Sequence, residues 1–164
     1  FNVPPTSQLN FVGFSHGANV AHVANYWYIA RADDHFVQVA MPHNHDIRAA
    51  VPVRQYGRHC SVFSWSDNIV MAGASDQQQA LWFAQSAVSS YWANEAHEAN
   101  MIGNWADAYY YNQLSAMYAA LAWEWWMSAR WDPVAANFGA GSYAHTDMHH
   151  AWMFTDLPAY CKTS

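Results

Sequence analysis

Charge is scarce in this chain. Asp, Glu, Lys and Arg make up only 11% of its 164 residues, Lys162 is its one lysine, and the formal net charge is −6. Lys and Arg nowhere cluster, which argues against nucleic acid or an anionic membrane surface as a partner. Long apolar runs are missing too. The nearest candidate, Met101 to Ser128, is broken by Asp107, Asn112, Gln113 and Glu124, so no transmembrane segment is expected. The two cysteines, Cys60 and Cys161, allow one disulfide or two free thiols, and their separation fits no metal or redox motif. Phe1-Asn2-Val3-Pro4-Pro5 lacks the basic and apolar regions of a secretory signal, and without an initiating Met the chain is expected to be mature or partial. Leucine is also rare, with five residues, whereas Trp and Tyr each number ten. Such aromatics suit a sugar-lined or lipid-lined groove, and cores use them as well.

The length suits one domain over residues 1–164, and the hydrophobic pattern alternates strands with helices. Leu9–Phe14 reads as a buried strand placed centrally in a sheet. Ala18–Ala30 reads as the helix after it, with Val20, Val23, Ala24 and Trp27 on one face. His35–Met41 gives a second strand ended by Pro42, followed by an irregular stretch. "CSVFSW" gives a third strand, Gln77–Ala87 a helix, and "VSSYWA" (Val88–Ala93) a fourth strand. Asp107–Met127 has helical character, and a last helix is expected over His145–Phe154. The class implied is α/β, a mostly parallel sheet with helices on both faces. No repeat or low-complexity linker interrupts it.

One stretch carries chemistry. In "LNFVGFSHGANVAHVA" (Leu9–Ala24) an apolar run stops at Gly13-Phe14-Ser15-His16-Gly17 and resumes at helical spacing. Gly-x-Ser-x-Gly between strand and helix is the sequence form of a nucleophile elbow, whose tight turn leaves no room for side chains beside the serine. A serine hydroxyl is a poor nucleophile until an imidazole takes its proton, and the imidazole needs a carboxylate to orient it. Ser15 after the first strand, Asp67 after the third and His97 after the fourth supply these groups in the order Ser, acid, His.

At these residues the chain resembles the α/β-hydrolase superfamily, most nearly its small serine lipases and esterases without a large lid. "FVGFSHGANVA" is similar to their strand, elbow and helix, "SVFSWSDNIVM" to their acid loop, and "VSSYWANEAHEANM" to their last strand and histidine loop. The resemblance implies Ser15 as nucleophile, Asp67 as acid and His97 as base, with no cofactor and a small ester or lipid as substrate. It also implies an oxyanion site made by the backbone N–H groups of His16 and Asn104. The family places several strands before its elbow and only about ten residues precede it here, so the order reads as permuted or the chain as partial. In the permuted reading Met101–Leu121 is the strand, oxyanion loop and first helix, and Arg130–Asp147 the next strand and its Gly-rich turn.

Other readings stand beside this one. Gly-x-Ser-x-Gly also forms simple tight turns, which would leave a non-catalytic binding domain. Asp67 can be a turn residue, Asp76 is a rival acid, and His97, flanked by Glu95 and Glu98, can be a surface histidine. A different function class comes from His145-x-Asp147-x-His149, whose histidines share one face of an α-helix as a divalent-metal pair, with His43, His45 and Asp46 as further ligands. The aromatic stripe Tyr109, Tyr110, Tyr111, Trp123, Trp125 and Trp126 reads as core and groove wall. Composition sets no oligomeric state.

Overall fold

The computed structural model describes residues 7, 9–29, 34–51, 56–149 and 161. They form two compact units, Phe1–Ala74 with Ala129–Ser164, and Ser75–Ser128.

The first unit is built on four parallel strands in the spatial order β1 (Asn10–Phe14), β2 (His35–Val39), β3 (Arg58–Phe63), β4 (Ala136–Gly139). β2 is buried along its whole length and β3 nearly so, which puts them at the centre. β1 therefore lies at one edge of the described sheet, not centrally as the sequence suggested. Parallel pairing sets Val12, Val37, Cys60 and Ala136 in one row and Phe14, Val39, Val62 and Phe138 in the next. That face forms a core with Met148 and Cys161. Cys60 and Cys161 are joined in a disulfide, resolving the choice the sequence left open. The opposite face carries Phe11 and Phe36, which pack with Ala18 of α1 (His16–Ala24).

α1 continues as a wider helical turn over Asn25–Ile29. It sits tight on the sheet, because a Cβ at Gly13 would lie 2.4 Å from Ala18 Cα. Only a small residue at position 18 allows that approach. Ala18, Asn19 and His22 turn inward, while Val20 and Trp27 remain 67% and 65% exposed. Asn19 donates to Pro42 C=O at 3.0 Å and His22 Nε2 lies 3.0 Å from Val51 C=O, so each inward side chain finds one partner.

The stretch read as irregular contains α2 (His45–Ala50), capped by Asn44, whose side chain accepts the N–H groups of Asp46 and Ile47. After β3 come a short turn of helix, α3 (Ile69–Ala72), and then the second unit. That unit is a helical hairpin of α4 (Asp76–Met101) and α5 (Trp105–Ser128). α4 starts at a capping box, Ser75 with Gln78, and runs for 26 residues, so the expected strand Val88–Ala93 is helix instead. Its β-branched and aromatic residues are outnumbered by the Ala, Gln and Glu around them, and the long helix overrides local strand preference. Met101–Leu121 is helix and turn with no strand, which removes the permuted reading of that segment. The strand within Arg130–Asp147 exists as β4, but it pairs with β3 at the edge far from the elbow. The last expected helix begins as a tight 3-10 turn over His145–His149, and its remainder lies outside the described residues. None of the described helices is long and apolar enough to cross a membrane.

Candidate active site

Ser15 occupies the junction of β1 and α1 with φ 53° and ψ −136°, a positive φ that a residue with a side chain adopts only under strain. Its N–H donates to Val39 C=O of β2 at 2.8 Å and its C=O accepts the Ala18 N–H of α1 at 3.0 Å, so β2 and α1 hold the turn in place. Gly13 makes this possible by letting α1 fold back against β1. Gly17 plays no such part, since a Cβ there would meet nothing within 4 Å.

The neighbouring strand ends supply the partners. Asp67 follows β3, is buried, and accepts the Ile69 N–H on Oδ1 at 3.1 Å. Its backbone carbonyl oxygen accepts a hydrogen bond from the guanidinium of buried Arg130. Burial pushes that guanidinium down to about 9, opposed by the adjacent Asp67 charge. His145 follows β4. Its Nδ1 lies 2.7 Å from Asp67 Oδ2 and its Nε2 lies 2.9 Å from Ser15 Oγ. Phe14 packs against the same imidazole with ring centroids 5.0 Å apart.

The two loops are fastened together just above the sheet. Ser64 Oγ lies 2.7 Å from Tyr143 C=O and accepts the Tyr143 N–H at 2.7 Å, while Trp65 N–H donates to Gly141 C=O at 2.9 Å. Pairing of β3 with β4 thus brings residues 67 and 145 within one hydrogen bond of each other. All three groups sit at the carboxyl ends of parallel strands, where open α/β sheets present their ligand sites.

Ser15 and Asp67 are thus brought together, and His97 is not. His97 is an exposed residue of α4, and no hydrogen bond among the described residues joins it to Asp67 or Ser15. His145 lies beside both instead, and the strand before it is β4 rather than the expected Val88–Ala93. Asp76, the rival acid, opens α4, where a carboxylate suits the positive end of the helix dipole. Asn104 cannot serve as an oxyanion donor. Its N–H donates to Ala99 C=O at 2.8 Å, and its side chain holds Asp107 at the start of α5. His16 keeps its position as the first residue of α1, where the backbone N–H has no partner within the helix.

Of the histidines proposed for metal, His145 and His43 are otherwise engaged. His145 bridges Ser15 and Asp67, and the 3-10 geometry removes the shared face that an i, i+4 pair needs. The side chain of His149 lies outside the described residues. Among the described residues no three His, Cys, Asp or Glu side chains gather as a metal-binding group. His43 instead belongs to a buried network that no sequence motif announced. Asp132 Oδ2 accepts from Arg48 at 3.1 Å and Gln38 at 3.1 Å, with His59 Nε2 at 3.4 Å and His43 Nε2 at 4.0 Å. Burial pushes His43 down to about 3 and His59 to about 4, against the pull of Asp132. His45 and Asp46 open α2.

A groove of about 600 Å³ runs along the outer face of α1 from His16, lined by Asn19, Val20, Val23, Ala24 and Ile47. Nearly all of its surface is apolar. Comparison with family models, with curated proteins and with solved structures finds no match.

Proposed function

We propose that this protein is a serine hydrolase acting on carboxylic esters through Ser15, His145 and Asp67, in an α/β-hydrolase-like domain. One observation carries the reading. His145 lies between a strained serine hydroxyl and a buried carboxylate, at 2.9 Å and 2.7 Å.

In the chemistry proposed, Ser15 Oγ attacks the ester carbonyl carbon as its proton passes to His145 Nε2. Asp67 holds Nδ1–H and stabilises the imidazolium that forms. The tetrahedral oxyanion takes a hydrogen bond from the His16 N–H at the positive end of α1. Collapse breaks the bond to the alcohol, which leaves with the proton from His145. Water then attacks the acyl-enzyme, with His145 as base and then acid, and restores Ser15. The apolar groove beginning at His16 supports an apolar acyl group in the substrate.

The test is hydrolysis of p-nitrophenyl esters by the full-length protein and its variants. Activity lost in Ser15→Ala and His145→Ala and kept in His97→Ala is the expected pattern. Equal loss in His97→Ala, or activity that survives Ser15→Ala, would overturn the reading.

A further inference from the structure

The hairpin Ser75–Ser128 buries mostly small residues: Ala96, Ala99, Ala108 and Ala122, with Gln78 and Trp126 near the open end. Ser89 and Ser115 bridge the helices reciprocally, each hydroxyl donating to the other's backbone C=O at 2.9 Å and 3.0 Å. Bulky groups also pack inside, with Trp92 stacked on Tyr111 across the two helices at 5.4 Å and Trp126 buried, but those at the turn face outward. Met101 and Ile102 close α4 at 75% and 81% exposed, and Trp105 and Tyr109 open α5 at 71% and 69%.

At the turn this is the reverse of the usual arrangement in water, with large apolar groups between helices and polar ones outside. Small residues and hydroxyls at the contact, with large groups facing out, is how helices pack when lipid is the surrounding medium. Yet neither helix is apolar enough to span a bilayer. An end that dips into an interface satisfies both facts. Trp and Tyr suit such a boundary, since each has an apolar body and a polar tip.

Charge selects the kind of surface. From Ala99 to Ala106 no residue is charged, and the whole hairpin carries five carboxylates and no Lys or Arg. An anionic membrane attracts basic segments and would repel this one. Glu98 and Asp107, flanking the turn on either side, limit how deep it can go.

We propose that the turn joining α4 to α5 docks on a neutral lipid–water interface, with Met101, Ile102 and Trp105 entering the apolar layer. This stands on the hairpin alone and does not depend on the hydrolase chemistry.

The experiment is sedimentation of the full-length protein with phosphatidylcholine vesicles. Wild type should bind, binding should be insensitive to added salt, and Ile102→Asp should weaken it roughly tenfold or more with an unchanged circular dichroism spectrum. Quenching of tryptophan fluorescence by brominated phosphatidylcholine should drop in Trp105→Phe, a variant that keeps an apolar ring. Three results would overturn the proposal. One is failure of wild type to bind. A second is salt-sensitive binding confined to phosphatidylglycerol vesicles. The third is a dimer without vesicle binding that Ile102→Asp dissociates, which would make the occupant a second copy of the protein.

Discussion

His145 Nε2 lies 2.9 Å from Ser15 Oγ although the two residues are 130 positions apart in sequence. The contact depends on β4 pairing with β3, which carries residue 145 past a 54-residue hairpin and back to the end of the sheet beside the elbow. If this hydrogen bond transfers the serine proton, Ser15→Ala and His145→Ala should each lower ester hydrolysis on the order of 10⁴-fold or more. The double variant should lose little beyond either single one, because the same step is already disabled. Steady-state kinetics of the three variants checks this.

Asp67 holds His145 Nδ1 at 2.7 Å from within the protein. Asp67→Asn keeps the shape but removes the charge that orients the imidazole and stabilises its protonated form. The rate should fall by about 10⁴-fold. Asp76→Asn, at an exposed helix start, should leave kcat unchanged.

The two glycines of the elbow should respond in opposite ways. Gly13→Ala forces a methyl group to within 2.4 Å of Ala18 Cα, a backbone atom, and should cost about 1–3 kcal/mol or more in stability along with activity. Gly17→Ala meets open space within the first turn of α1 and should stabilise by about 0.4–1 kcal/mol. Urea unfolding of the two variants separates them.

The Gly-x-Ser-x-Gly pattern was legible because it dictates one local geometry, a strand turned sharply into a helix, and no distant contact is needed to produce it. Asp67 was legible for the same reason, following directly on a short buried strand. The base was not. Finding it requires knowing that Ala136–Gly139 rather than Val88–Ala93 is the last strand, and α4 hides its helical nature from periodicity by spreading apolar groups around its surface. On α1 the close approach at Gly13 requires a small residue at position 18, which is alanine. The network around Asp132 joins residues from five places in the sequence, and no local motif marks it.

That network makes stability depend on pH. Burial holds His43 to about 3 and His59 to about 4, against 6.5 for the ordinary side chain. Between those values the unfolded protein binds protons that the folded protein does not. The stability linked to these groups is therefore complete above about pH 6.5 and lost as pH falls toward 4 and then 3, at up to about 1.4 kcal/mol per pH unit for each histidine. Denaturant unfolding at pH 7 and at about pH 5 should show the decline. A flat profile would mean that these histidines are not buried in the native state.

The disulfide between Cys60 and Cys161 ties β3 to a segment 101 residues away. Cys161→Ser should lower stability by about 2–5 kcal/mol. Calorimetry of the oxidised wild type against the variant measures it.

The central claim is that Ser15 is a nucleophile activated by His145. Reaction with an active-site-directed alkyl phosphonate, followed by peptide mapping, tests it most directly. The account predicts a single phosphonylated serine, Ser15, in wild type and in His97→Ala, and no labelling in His145→Ala. Labelling at another serine, or undiminished labelling of Ser15 in His145→Ala, would contradict it.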